Sequence, residues 1–187
     1  MRSVCVYCSS SNDIAPVYHR AAKRLGRLIG RSGWRLIYGG GMIGLMGTLA
    51  DAVRREGGTV TGIIPRSLAR KGIMYENAEE MIETKNLRDR KELMERRADA
   101  FIALPGGFGT LEEIAEIITL KQLRYHDKPV VFLDTGGFYS HLFRHFRKCF
   151  AEKFIDGASR DLFMTADTAS RAVNLIRKAA APRQNVP

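Results

Sequence analysis

The segment Leu104-Pro105-Gly106-Gly107-Phe108-Gly109-Thr110-Leu111-Glu112-Glu113 most constrains what this chain can fold into. A short apolar run, Ala100 to Leu104, enters it and reads as a buried strand, and a long apolar-rich stretch, Leu111 to Leu123, leaves it and reads as a helix. Glycines between a strand and a helix let a ligand approach the backbone closely. They also open the positive end of the helix dipole and its free N–H groups to an anion such as phosphate. Glu113 sits about one turn inside that helix. Thr110 and Glu113 also have the spacing of a capping box, in which both side chains satisfy backbone N–H groups. That box needs no run of glycines ahead of it, so the pattern favours a phosphate cradle with an acid beside it.

The same alternation of strand and helix runs from end to end. Val4 to Tyr7 reads as a strand and Pro16 to Arg31 as a helix with Ala21, Ala22, Leu25, Leu28 and Ile29 on one face. Trp34 to Tyr38 and Thr59 to Ile64 read as strands, and Glu80 to Thr84 as a short one. Asn86 caps a helix to Arg97. Pro129 to Asp134 is a further strand, followed by a helix bearing His141 and His145. Leu162 to Met164 is the last strand, and Asp167 caps a final helix to about Lys178. This predicts one α/β domain over residues 1–178, a doubly wound, mostly parallel, Rossmann-like sheet with helices on both faces, and a flexible tail over 179–187. Ligands bind such sheets at the carboxyl ends of the strands. Ser9 to Ser11, Gly39 to Gly44 and Gly106 to Thr110 would all open there. The helix after Gly109 is apolar over more than one stripe, which predicts a second buried surface and hence a homodimer.

Other signals are weaker. Gly39, Gly41 and Gly44 form a G-x-G-x-x-G between a strand and a helix, the setting of a dinucleotide fingerprint. The next strand ends in Pro65-Arg66-Ser67 without the acid that would hold an NAD ribose, which disfavours NAD; Arg66 keeps an NADP-binding oxidoreductase open as an alternative. Cys5 and Cys8 make a C-x-x-C inside a strand pattern, where residues three apart face opposite sides, so they read as packing thiols. His141, His145 and Cys149 share a helix face, but next to Arg144 and Lys148 that face reads as solvated, and no metal is expected.

The formal net charge is +10 over 187 residues. The cations are spread along the chain with no zinc-finger or aromatic RNA-binding signature, so small anions are expected and nucleic acid is not. No apolar run approaches a membrane span, and the first residues lack a secretory cleavage pattern, so a cytoplasmic protein is expected.

Pro105-Gly106-Gly107-Phe108-Gly109-Thr110-Leu111-Glu112-Glu113 resembles the P-G-G-x-G-T-x-x-E motif of the LONELY GUY (LOG) family, the cytokinin riboside 5′-monophosphate phosphoribohydrolases. Gly39-Gly40-Gly41 with Gly44-Leu45-Met46-Gly47, and the opening Val4 to Ser11, resemble it too. Leu87-Arg88-Asp89-Arg90-Lys91 keeps the Arg-Lys of that family's M-H-x-R-K element, with Leu87 and Arg88 replacing Met and His. The resemblance implies catalytic roles for Arg90 and Glu113. It further implies substrate contacts at Ser10, Gly40, Gly41, Lys91, Gly106, Gly107, Phe108, Gly109, Thr110, Leu111, Glu112 and Thr119. It implies a nucleoside monophosphate substrate, no cofactor and a homodimer. A non-catalytic nucleotide-binding or sensing module, with Glu113 only a cap, is the competing reading. Lysine decarboxylase, an older label in that family, finds no lysine in a recognisable pyridoxal phosphate context.

Overall fold

The computed structural model describes residues 3–69 and 72–180. Seven strands, β1 (Ser3–Tyr7), β2 (Arg35–Tyr38), β3 (Val60–Pro65), β4 (Glu80–Thr84), β5 (Ala100–Ala103), β6 (Val130–Leu133) and β7 (Met164–Ala166), form one sheet. Among the described residues six α-helices accompany them: α1 (Pro16–Arg31), α2 (Gly44–Arg55), α3 (Leu87–Arg97), α4 (Phe108–Gln122), α5 (Ser140–Ala151) and α6 (Ala169–Ala179). Every strand pair is parallel, so the sheet is more uniform than the mostly parallel one expected.

Helices cover both faces. Val4 and Val6 point toward α1, α2 and α6, where Leu25, Ile29, Leu49, Val53 and Val173 pack. Cys5 and Tyr7 point the other way, toward Met94 of α3, Ile114 and Ile117 of α4, and Tyr139 ahead of α5. This is the two-residue alternation of a strand buried on both sides. The cysteines follow it: Cys5 is buried on the second face, while Cys8, just past β1, packs against the first.

The spatial order β4-β3-β2-β1-β5-β6-β7 reverses between β1 and β5. There the chain leaves adjacent strands in opposite directions and a crevice opens at the carboxyl edge. Because β4 ends at that edge, α3 starts there, and α4 starts there after β5.

Several boundaries differ from the sequence pattern. α4 begins at Phe108, three residues before the apolar run, with Gly107 as N-cap. Once the helix starts there, Thr110 lies inside it and no capping box forms. The last strand is Met164–Ala166, not Leu162 to Met164, and Thr168, not Asp167, caps α6 by accepting from the Arg171 N–H. Asp167 pairs instead with the Arg171 side chain at 3.9 Å. α6 runs to Ala179, and residues 181–187 of the expected tail lie outside the described residues.

Candidate active site

Arg90 is the fourth residue of α3 and Glu113 the sixth of α4. Since both helices start at the same sheet edge, the two side chains meet across the crevice. Nη1 of Arg90 donates to Oε1 of Glu113 at 2.7 Å. Both are largely withdrawn from water, at 14% and 10% side-chain exposure. The Nε of Arg90 donates to the carbonyl of Ile63 in β3 at 2.9 Å, which fixes the plane of the guanidinium. Gly39 supplies the room: a Cβ there would overlap Nη2 of Arg90. Burial pushes the Glu113 carboxyl above its ordinary value, outweighing the pull of the Arg90 charge. Below the pair, burial drives the Cys5 and Cys8 thiols far up, and the Glu113 charge adds to this, so neither is a nucleophile.

The glycine turn lies beside the pair. Gly106 packs directly under the Thr110 side chain, where a Cβ would overlap the hydroxyl. Gly107 and Gly109 differ from it. Neither has a positive φ, and a Cβ on either would meet nothing within 4 Å. Neither conformation nor packing therefore demands glycine at these two positions, while a ligand lying against the backbone would. No side chain caps α4, so its first-turn N–H groups are left for a ligand. Tyr139 holds the turn from beneath, its hydroxyl donating to the Leu104 carbonyl at 2.6 Å.

The start of α2, where the dinucleotide fingerprint would place a pyrophosphate, is closed. The Gly44 N–H donates to Oδ1 of Asn12 at 2.9 Å and the Leu45 N–H to the Ser9 carbonyl at 3.0 Å. The glycines there have packing reasons. A Cβ on Gly44, whose φ is +68°, would sit 2.6 Å from the Ser11 carbonyl oxygen. Gly40, at φ +74°, accepts from the Tyr75 N–H at 2.9 Å. The NADP alternative has no free phosphate cradle at this position.

Of the residues implied as substrate contacts, Ser10 is exposed in the loop after β1, and Gly107, Phe108 and Gly109 are exposed on the crevice. Gly40 and Gly41 are buried beneath the segment at Met74 and Tyr75. Leu111 is half-buried against the α3–α5 side of the core. Lys91 is held by Glu112 and, at 2.9 Å, by Glu116, so its ammonium and the Glu112 carboxylate are committed to each other. Thr119 lies nine residues beyond Thr110, about 14 Å along the helix; its hydroxyl donates to the Ala115 carbonyl at 2.8 Å, and the fold does not bring it to the turn within one chain. Gly39, the Ile63 carbonyl and Tyr139 serve the site without being legible as such. Only the glycine left a mark, as the first position of the G-x-G-x-x-G and of the Gly39-Gly40-Gly41 run that resembles the LOG family.

His141 and His145 are exposed on α5, and no group of three metal-ligating residues occurs among the described residues. No helix is long and apolar enough to cross a membrane among those residues.

Sequence comparison decides the kinship. A cytokinin riboside 5′-monophosphate phosphoribohydrolase of Arabidopsis thaliana is 42% identical over 95% of this chain and 83% of its own length. A probable enzyme of the same name from Oryza sativa is 43% identical over 95% of this chain and 78% of its own. The chain belongs to the LOG family. The family model described as "Possible lysine decarboxylase" matches residues 46–176. The molybdenum cofactor binding protein of Rippkaea orientalis has the same fold, with a TM-score of 0.74 at 22% identity over 95% of this chain and 96% of that one.

Proposed function

We propose that this LOG-family protein hydrolyses the N-glycosidic bond of adenosine 5′-monophosphate or its N6-substituted forms, releasing the free base and ribose 5-phosphate. The observation that carries this reading is the buried Arg90–Glu113 pair within two helical turns of an uncapped α4 N-terminus where Gly107 and Gly109 have no packing or conformational reason to be glycine.

The 5′-phosphate docks on the N–H groups of Gly107 to Thr110, which fixes the sugar next to Glu113. Breaking the bond from C1′ to the base nitrogen puts positive charge on the ribose ring, as in glycoside hydrolysis. Glu113 as a carboxylate stabilises that charge, holds the ribose hydroxyls and directs water to C1′. The water oxygen bonds to C1′, the electron pair of the broken bond leaves with the base, and a proton from water ends on the base nitrogen. Arg90 remains charged throughout; it steadies the departing base or the phosphate and opposes protonation of Glu113. Ser10 lines the approach from the loop after β1, while Gly40 and Gly41, buried beneath Met74 and Tyr75, shape the wall behind it. Lys91 acts through Glu112 and Glu116, and no metal or cofactor enters.

A homodimer accompanies this reading. Phe108, Leu123 and Tyr125 are 93%, 62% and 75% exposed at the two ends of α4 and just beyond it, large apolar side chains that a second copy would cover. Thr119, exposed on the same helix, would then face the partner and could reach a site there. Sedimentation of the wild type against Tyr125→Glu checks this: a dimer that becomes a monomer is expected, and a monomeric wild type overturns it.

The catalytic test is incubation with AMP and with isopentenyladenosine monophosphate, followed by detection of free base. Release by the wild type that is lost in Glu113→Gln is the expected result. Tight nucleotide binding with no release would make the protein a sensor instead.

A further inference from the structure

Five of the 30 Lys and Arg residues that look dispersed along the chain are gathered on one line by α1. Arg20, Lys23, Arg24, Arg27 and Arg31 are all exposed. At 100° per residue they fall within about 100° of helix circumference. From Arg20 to Arg31 they extend about 17 Å along the axis. α1 contains no acidic residue. Its rotation is not free. Ala22, Leu25 and Ile29 are buried toward the sheet, and Gly26 and Gly30 lie directly against the α2 backbone, where an added Cβ would come 2.6 Å from the Leu49 and Val53 carbonyl oxygens. The cationic line must therefore face solvent.

Among the described residues only Glu56 answers it, with Arg31 at 2.8 Å and Arg27 at 3.8 Å. Arg20, Lys23 and Arg24 have no ion pair among the described residues. Beyond the end of α1, Nη2 of Arg177 donates to the Ser32 hydroxyl at 2.7 Å and carries the positive line onto α6.

We propose that this face docks the phosphate backbone of a nucleic-acid duplex. The charge is of one sign, linear and exposed, which matches the regular row of phosphates on a duplex strand. No exposed aromatic side chain interleaves the cations, so the face offers no stacking platform for the bases of a single strand. The apolar side of α1 is spent on the core, so the helix cannot insert into a lipid interface. Binding is independent of base sequence, because the contacts reach the backbone only. The face is separate from the Arg90–Glu113 crevice, and the inference does not depend on the proposed hydrolysis.

The test is fluorescence anisotropy of the full chain with a labelled 20-base-pair duplex across a KCl series. Binding that weakens steeply with salt is expected. Arg20→Glu/Lys23→Glu/Arg24→Glu should lower affinity at least tenfold and reduce the slope of log K against log salt by about three. Arg144→Glu/Arg147→Glu/Lys148→Glu on α5 makes the same change in net charge elsewhere and should leave the affinity within about threefold of wild type. Should the α1 triple glutamate variant fail to fold, the triple glutamine variant reads the same loss. Absence of duplex binding overturns the proposal, as does equal weakening by the two triple variants. Binding to phosphatidylserine vesicles or to polyglutamate as tight as to the duplex would also overturn it.

Discussion

Arg90 and Glu113 lie 23 positions apart in the chain and 2.7 Å apart in the fold, on two helices that begin at one edge of a parallel sheet. Removing one member leaves the other as a buried, uncompensated charge, so each substitution bears on both. Glu113→Gln keeps the shape while abolishing the carboxylate, and Arg90→Gln leaves the acid in place without its counterion. Each should cost about 2–4 kcal/mol of barrier, the range for a group that stabilises charge only in the transition state. The fall should appear in kcat more than in KM for AMP. A variant retaining more than a tenth of wild-type kcat would remove that residue from the chemistry.

Gly39 is coupled to the same pair. A methyl group there would overlap Nη2 of Arg90, and the guanidinium is already tied to Ile63 and Glu113. Gly39→Ala should therefore displace Arg90 rather than unfold the sheet. The expected result is a kcat reduced by one to two orders of magnitude with inorganic phosphate still protecting the protein against thermal unfolding, since the α4 cradle is untouched. Full activity in Gly39→Ala would show that the guanidinium position is not critical.

The part of this arrangement that is periodic or local was legible in the sequence. Apolar runs bounded by glycine and polar turns gave the strands, and strand-helix alternation gave the parallel sheet and the carboxyl edge at which the candidate site lies. Boundaries slipped where a backbone cap outweighed an apolar pattern, as at Gly107, which starts α4 three residues early. The role of Glu113 was ambiguous because capping and catalysis use the same residue at the same spacing; in the fold its carboxylate pairs with Arg90 on α3 and no side chain caps α4, and that contact is not local. What Gly39 makes room for was not legible for a similar reason, since a glycine leaves no record of which side chain fills its space. The α1 cations looked scattered because spacings of three and four residues disperse in sequence what a helix aligns.

The raised Glu113 carboxyl sets a pH dependence. Because burial favours its neutral form, the fraction ionised begins to fall at a higher pH than for an ordinary carboxyl. If the ionised form does the work, the acid limb of kcat/KM should lie above the usual carboxylate range, with activity full on its alkaline side. The effect on folding has the opposite sense: with the folded value above the unfolded one, stability declines as pH rises from the unfolded value through the folded one. A pH series of kcat/KM and of the unfolding midpoint measures both. An acid limb at or below the ordinary carboxyl value would mean that Glu113 is not the group being titrated.

Gly109 separates the needs of the fold from those of the ligand. It lies in the first turn of α4 without a positive φ, and a Cβ there meets open space. Alanine restricts the unfolded chain and favours helix, so Gly109→Ala should leave the free protein as stable as wild type or more stable by about 0.5–1 kcal/mol. The same methyl group would project where the 5′-phosphate approaches the N–H groups. KM for AMP should then rise about tenfold or more, and inorganic phosphate should protect the variant against heat less than it protects wild type. A thermal scan with and without phosphate, beside the kinetics, reads both effects. Unchanged KM together with unchanged phosphate protection would place the sugar phosphate elsewhere and remove the cradle from the mechanism.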